Sequence, residues 1–273
     1  MAQKAHPNIL RPQENLYKGH TNWDNSRFFY TTSTISKLLE SCCLGTTHYL
    51  NELQINRNTG LIYIEMNLIH LHFKSKRRFF SRRYKENNTI NTLQSWTIIA
   101  CRLQKAVKLI QQFSGIKKVI LKINRLKMYT RAIPKTARRQ MSFYGKDFNR
   151  IRYDYARYGL QLMYLLLKKK ASPKTFIRFL KQNIQSRQRR KRHYHFLSYI
   201  KKALKVLKRY KKIQGLKIQI KGRFTHKAKG RSRSWNHQIG SMPLSRLDKN
   251  IRAEYEQTQT AYGSVGLKVW VCL

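Results

Sequence analysis

The stretch "YHFLSYIKKALKVLKRYKKIQGLKIQIK" (Tyr194–Lys221) decides the fold class, because one short run carries two periodicities. Up to Lys212, the residues Phe196, Ile200, Ala203, Leu204 and Leu207 recur at helical spacing and give one apolar face. Lys201, Lys205, Lys208 and Lys212 form a stripe opposite that face. Gly215 then stops the helix. Leu216, Ile218 and Ile220 alternate with Lys217, Gln219 and Lys221, the pattern of a strand buried on one face. A helix feeding directly into a half-buried strand points to an α+β fold.

Working outward, "GLKVWVCL" (Gly266–Leu273) reads as another strand. Between the two lies "GRSRSWNHQIGSMPLSRLDKNI" (Gly230–Ile251), with Arg231 and Arg233 ahead of Trp235 and a turn set by Met242-Pro243-Leu244. A helix is expected after that turn, starting at Ser245 or at Leu247-Asp248. Upstream, Ser172-Pro173 marks a helix start, and Phe176, Ile177, Leu180 and Ile184 make its apolar face. Residues 172–273 therefore read as a compact α+β domain with an antiparallel or mixed sheet and two helices.

The amino-terminal half has a second such pattern. Residues 1–33 read as an extended arm, and a short helix is expected over Thr34–Leu44. A strand over Leu53–Asn56 and the run "LIYIEMNLIHLHF" (Leu61–Phe73) flank the turn signal Asn58-Thr59-Gly60. In the longer run the apolar phase shifts by one after Leu68, which predicts a bulge. The basic loop "KSKRRFFSRRYK" (Lys74–Lys85), an amphipathic helix over Thr92–Phe113, a stop at Gly115 and a strand over Lys117–Ile123 follow. Helix, strand, strand, basic loop, helix, strand is the order of a type II KH-like RNA-binding domain, here residues 34–126. Residues 127–171 are rich in Tyr and Arg and read as a basic insertion with one helix near Tyr155–Lys168.

The charge narrows the function classes. The chain of 273 residues has 58 lysines and arginines against 11 acidic residues, a formal charge of +47. High net charge with low hydrophobicity would mean disorder, yet 41% of the residues are hydrophobic and 12% aromatic, enough for packed cores. A folded protein with this charge needs a polyanion around it, and nucleic acid is the expected one, ahead of an anionic membrane surface. No stretch approaches the roughly 18 apolar residues of a membrane span. The start at Met1 is polar, without the apolar run of a secretory signal. Four cysteines (Cys42, Cys43, Cys101, Cys272) fit no disulfide framework or zinc spacing and read as buried free thiols.

An enzyme would need a carboxylate pair, a metal cluster or an activated nucleophile. Glu254 and Glu256 are the tightest acidic pair and read as helix-surface residues. His70 and His72 share a strand face but have no third ligand at metal spacing. His193 and His195 flank Tyr194 at the start of the basic helix, where exposure or phosphate contact is expected rather than catalysis. Gly263-Ser264-Val265-Gly266 has the form of a KH glycine clamp, but it leads straight into the last strand and reads as a turn. No glycine occurs near residues 74–90, where the clamp of a KH domain would fall. Basic tracts remain as the chemistry. Phe79, Phe80, Tyr84 and Tyr194 lie among them, placed either to stack on bases or to fill a core. No metal and no cofactor is expected.

Several segments together resemble the ribosomal protein S3 family, the universal KH-containing proteins of the small-subunit head. They are "MAQKAHPN", "HTNWDNSRFF", "GLKIQIKGRF" (Gly215–Phe224), "GSMPLSRLDKNI" (Gly240–Ile251) and "AYGSVGLKVWVCL" (Ala261–Leu273). The resemblance runs through 172–273 and touches 1–30 and 45–126, while 127–171 has no counterpart in the compact bacterial form. It implies a structural protein that folds onto small-subunit rRNA beside other head proteins and helps line the path by which mRNA enters. The implied mRNA-facing residues are Arg189, Arg190, Lys191, Arg192, Lys201, Lys202, Lys205 and Lys208. The implied rRNA-facing residues begin with Lys4, His6, Lys74, Lys76, Arg77, Arg78, Arg82 and Arg83. They continue with Arg223, Lys227, Lys229, Arg231, Arg233 and Trp235. Where family members carry an arginine pair, this chain has Leu197 and Ser198. The biased composition points to an organelle-encoded protein of the mitochondrion, with plastid and bacterial cytoplasm as alternatives. The rival reading is a free organelle-encoded maturase or endonuclease, which would need acidic metal ligands.

Overall fold

The computed structural model describes residues 6–11, 25–43, 48–57, 60–70, 83–127, 134–144, 155–185, 193–223 and 231–273. In chain order α1 (Pro7–Leu10), α2 (Asn25–Cys42), β1 (His48–Arg57), β2 (Leu61–His70), α3 (Arg83–Ser114) and β3 (Lys118–Lys127) come first. There follow α4 (Lys135–Tyr144), α5 (Tyr155–Leu167), α6 (Pro173–Gln185) and α7 (His193–Leu207), the last continued by a 3-10 turn at Lys208–Tyr210. The carboxy-terminal strands are β4 (Gly215–Gly222), β5 (Arg233–Gly240), β6 (Ile251–Thr260) and β7 (Gly263–Cys272). The chain divides into two compact units, residues 18–128 and residues 129–273 together with 1–17.

In the unit of residues 18–128 a three-stranded sheet has the order β1-β2-β3, with β1 antiparallel and β3 parallel to β2. Ile62, Ile64, Met66 and Leu68 point to one face and are buried against Ile35 and Leu39 of α2 and Ile99, Leu103, Ala106 and Ile110 of α3. The element order α, β, β, α, β is the order the sequence predicts. The boundaries differ. The stretch expected to be an extended arm up to residue 33 is helical from Asn25, because no glycine or proline interrupts Asn25–Cys42. The first strand begins at His48 rather than Leu53, and the bulge expected in β2 sits in β1. Leu50 pairs with Leu68 and Glu52 with Asn67, so Asn51 is the extra residue and the alternation breaks there. Cys42 and Cys43 are buried as expected, but Cys101 is exposed. It falls off the stripe that Ile99, Leu103, Ala106 and Ile110 turn inward.

The other unit is built on a four-stranded antiparallel sheet of order β5-β4-β7-β6. Leu216, Ile218 and Ile220 of β4 and Val265, Leu267, Val269 and Val271 of β7 are buried beneath the helices. α6 lies on β6 and β7, α7 reaches β5, and α5 packs against both helices. Ser172 caps α6, its Oγ accepting from the Thr175 amide at 3.3 Å. Phe176, Phe179, Phe196 and Tyr199 are fully buried between α6 and α7.

Within the stretch 127–171, expected as a basic insertion, α4 packs against α7, and the inner face of α5 (Leu162, Met163, Leu166, Leu167) belongs to this unit's core. One expectation is corrected here. The helix expected after Met242-Pro243-Leu244 is a strand. Ile251–Thr260 pairs in register with β7 from Ile251↔Cys272 to Thr260↔Gly263, leaving a two-residue loop at Ala261-Tyr262. Pairing along ten residues of an already buried strand outweighs the weak helical preference of Ala253, Glu254 and Glu256. Glu254 and Glu256 consequently share a strand face, and Glu256 pairs with Lys181 of α6 at 2.5 Å. Gly263 opens β7, so the glycine pair there forms a hairpin corner rather than a clamp between helices.

Among the described residues no helix is long and apolar enough to cross a membrane. Nor do three His, Cys, Asp or Glu side chains gather among them as a metal site requires.

Candidate nucleic-acid interface

Helix α7 separates its two faces cleanly. Phe196, Leu197, Tyr199, Ile200, Ala203, Leu204 and Leu207 are buried, whereas Tyr194, His195, Ser198, Lys201, Lys205 and Lys208 are exposed. Lys202 is half-buried at the border. Leu197, which stands where family members are expected to carry a charged residue, is a core side chain. His193 departs from the expectation of exposure: its ring is buried, with Nε2 3.1 Å from the Ile184 carbonyl oxygen. Its position at the first turn of α7 turns it toward the end of α6, while His195 two residues on faces solvent.

Strand β5 is the edge of the sheet beside this helix, and it carries the continuation of the basic face. Arg233, Trp235, His237 and Ile239 stand opposite Gly222, Ile220, Ile218 and Leu216 of β4, so all four lie on the helix side of the sheet. Arg233 donates a hydrogen bond from Nη1 to the Tyr194 hydroxyl at 3.3 Å, tying strand to helix. Trp235 packs 5.9 Å from His237, centroid to centroid. Burial, and secondly the Lys201 ammonium, hold the His237 imidazole below its usual range. Its Nε2 is buried without a hydrogen-bond partner among the described residues.

The structure therefore brings together residues that the sequence divides between two tasks. Lys201 and Tyr194 of α7 adjoin Arg233, Trp235 and His237 of β5 in one continuous basic and aromatic surface. Sequence reasoning missed His237, although the alternation Arg233, Trp235, His237, Ile239 is visible in the chain and would have found it. Arg231 is exposed just before β5 and Arg223 is half-buried just after β4. His6 lies elsewhere. It caps α1 by accepting from the Asn8 amide, and its ring packs tilted against that of Tyr255 at 4.3 Å. Burial and the Lys268 ammonium hold its ring below the ordinary range. Arg83 opens α3. Lys4, Lys74, Lys76, Arg77, Arg78, Arg82, Arg189, Arg190, Lys191, Arg192, Lys227 and Lys229 lie outside the described residues, as do Phe79, Phe80 and His72.

Ammonium, guanidinium, indole and phenol on rigid elements, with no nucleophile or carboxylate among them, make a surface for phosphate and stacked rings. The fold and this surface together define a basic α+β domain of the nucleic-acid-binding class. Residues 186–271 match the family model described as ribosomal protein S3, C-terminal domain. The chain is 42% identical over 76 residues to the small ribosomal subunit protein uS3c of Tetradesmus obliquus, which is 28% of this chain and 11% of that protein. It is 37% identical over 84 residues to uS3c of Cyanophora paradoxa, 31% of this chain and 37% of the relative. It is 41% identical over 59 residues to uS3 of Acaryochloris marina, 22% and 24% respectively. The chain thus spans well under two thirds of the length of these relatives.

Proposed function

We propose that the protein is a structural component of a small ribosomal subunit that holds small-subunit rRNA in shape and contacts neighbouring ribosomal proteins, without catalysing a reaction. The observation that carries this reading is the junction of α7 and β5, inside the matched domain, where Arg233 meets Tyr194 and Lys201 adjoins His237. A surface of this kind gains its affinity by displacing counterions from phosphates. In the finer reading, the lysines of α7 together with Arg189–Arg192 guide mRNA as it enters the subunit. Residues 34–126 act as a type II KH-like domain in which a basic cluster replaces the glycine clamp. The names of the relatives support an organellar or bacterial ribosome, and the composition favours the mitochondrion.

Sedimentation of the native protein from gently lysed cells tests the reading. Co-migration with the small subunit, abolished by ribonuclease, is the expected result, and migration at the top of the gradient would overturn it. For the interface, replacing Lys201, Lys202, Lys205 and Lys208 by Ala should flatten the log–log salt dependence of RNA binding by roughly three units. An unchanged slope would mean that the stripe is merely solvated. Fractionation of organelles checks the location.

A further inference from the structure

The face of the four-stranded sheet turned away from α6 and α7 carries chemistry of its own. Register defines it: Lys217, Gln219 and Lys221 of β4 stand beside Trp270, Lys268 and Gly266 of β7 and beside Gln238, Asn236 and Ser234 of β5. At the β6 edge α1 borders the sheet. Asn8 exchanges hydrogen bonds of 3.0 and 2.9 Å with the Ala253 carbonyl and amide, and the His6 ring packs tilted against Tyr255. Met242 and Leu244 pack on Ile251, Ala253, Trp270 and Cys272 of the same face. Beyond these the face is open, with Lys221, Lys268, Asn236 and Gln238 exposed and Lys217 and Gln219 half-buried.

Two of its ammonium groups are held in place. Lys217 Nζ lies 5.4 Å from the centroid of the Trp270 ring and Lys268 Nζ 4.7 Å from that of Tyr255. The rings are locked to each other, Trp270 Nε1 donating to the Tyr255 hydroxyl at 3.1 Å. Lys221 follows Lys217 at a distance of about 13 Å along the strand. No acidic side chain belongs to this face in any of the four strands: Glu254 and Glu256 both have the opposite parity.

We propose that this face is a second RNA-binding surface, taking a phosphodiester backbone across Lys217, Lys221 and Lys268 while the Asn236 and Gln238 amides reach ribose or base edges. It rests on the ribosomal reading for the identity of the polyanion, and it places RNA on both sides of one sheet. Charge complementarity decides for RNA. A protein interface of useful size has an apolar core, and here the aromatic rings are covered by ammonium groups. Ile251, Ala253 and Cys272 are buried with Met242 and Leu244 packed against them, and the exposed side chains of β4 and β5 on this face are lysine, carboxamide and the Ser234 hydroxyl. Ordering lysines already pinned over rings also loses less side-chain entropy than ordering free ones.

The test uses the full chain and a fluorescent mixed-sequence RNA of about 20 nucleotides, longer than a single-domain footprint. Lys217→Gln, Lys221→Gln and Lys268→Gln together should lower the log–log salt slope by about two to three units. The same change at Lys105, Lys108 and Lys117, exposed in the other unit, should lower it less. Lysine acylation at RNA saturation should spare Lys217, Lys221 and Lys268. Equal slopes for the two triple variants, or undiminished acylation of these three lysines, would overturn the proposal. A slope that responds to the α7 substitutions but not to the sheet-face triple would leave the ribosomal reading standing and remove this one. Failure of the unaltered chain to bind the RNA at all would remove both.

Discussion

Arg11 is the residue through which the amino-terminal segment should contribute most to stability. Its side chain is 5% exposed. Nε donates to the Lys249 carbonyl at 2.9 Å, Nη2 to those of Leu244 at 2.9 Å and Arg246 at 2.6 Å, and Nη1 to that of Pro7 at 3.3 Å. One guanidinium thus satisfies the carbonyls of the turn that leads into β6. Each hydrogen bond from a charged donor contributes roughly 1.5–3 kcal/mol net. The turn carbonyls regain water once the side chain is gone, so Arg11→Ala should lose about two bonds' worth, near 3 kcal/mol. At about 2–4 °C per kcal/mol for a unit of this size, the midpoint of thermal unfolding should fall by roughly 6–12 °C. Arg11→Lys keeps the charge but not the planar fork and should recover less than half of that. Urea unfolding followed by tryptophan fluorescence, together with a thermal melt, reads both. An Arg11→Ala chain within about 0.5 kcal/mol of the unaltered one, inside the usual range for surface changes, would refute the reasoning. So would a lysine that replaces arginine without loss.

Gly240 has φ +75° and a β-carbon there would meet the Gln214 carbonyl oxygen at 2.1 Å. Gly240→Ala should therefore cost at least about 2 kcal/mol, measured by urea unfolding. His6 and His237 both titrate below the ordinary value, about 6.5, because burial and a nearby lysine disfavour the imidazolium. The unfolded chain then binds more protons, so their contribution is present above that value and lost as pH falls below it. Unfolding midpoints should drop between about pH 7 and pH 5, and the double His6→Gln, His237→Gln variant should show a shallower drop. Burial pushes the Cys42 and Cys272 thiols up, while Cys101 is exposed on α3. Iodoacetamide followed by mass spectrometry should modify Cys101 first and reach Cys42 and Cys272 only in denaturant.

The strands and helices with a clean apolar period were legible in the sequence: Ile62 to Leu68, Ile99 to Ile110, Leu216 to Ile220 and the two faces of α7. What escaped did so for identifiable reasons. The first part of β1 was hidden because Asn51 is an extra residue that resets its alternation. The start of α2 was hidden because aromatic and threonine residues there give no strong local signal either way. β6 reads locally as a capped helix and becomes a strand only because β7 presents ten residues to pair with, information that no local window contains. The same limit applies to the site. Lysines of α7 could be read from spacing alone, but their junction with Arg233 and His237 depends on which strand forms the sheet edge.

Two of the few carboxylates tie neighbouring elements together. Glu65 of β2 takes Lys122 at 3.7 Å and the Asn124 amide, both from β3, and Glu256 of β6 takes Lys181 of α6. Each of these pairs joins neighbouring elements, and 11 acidic residues in all cannot offset 58 lysines and arginines. Surface ion pairs contribute little on their own, and a row of like charges on a helix is unfavourable. A chain of charge +47 that folds under these conditions leaves its cation neutralisation to a partner. Strand parity then determines where that partner can act. Because side chains alternate, Glu254 and Glu256 fall on the helix side of the sheet and Lys217, Lys221 and Lys268 on the other. A one-residue slip would bury the ammonium groups under α6 and α7 and turn the valines of β7 outward. The hydrophobic demand of the core thus fixes the register, and the register places the cations where phosphate can reach them.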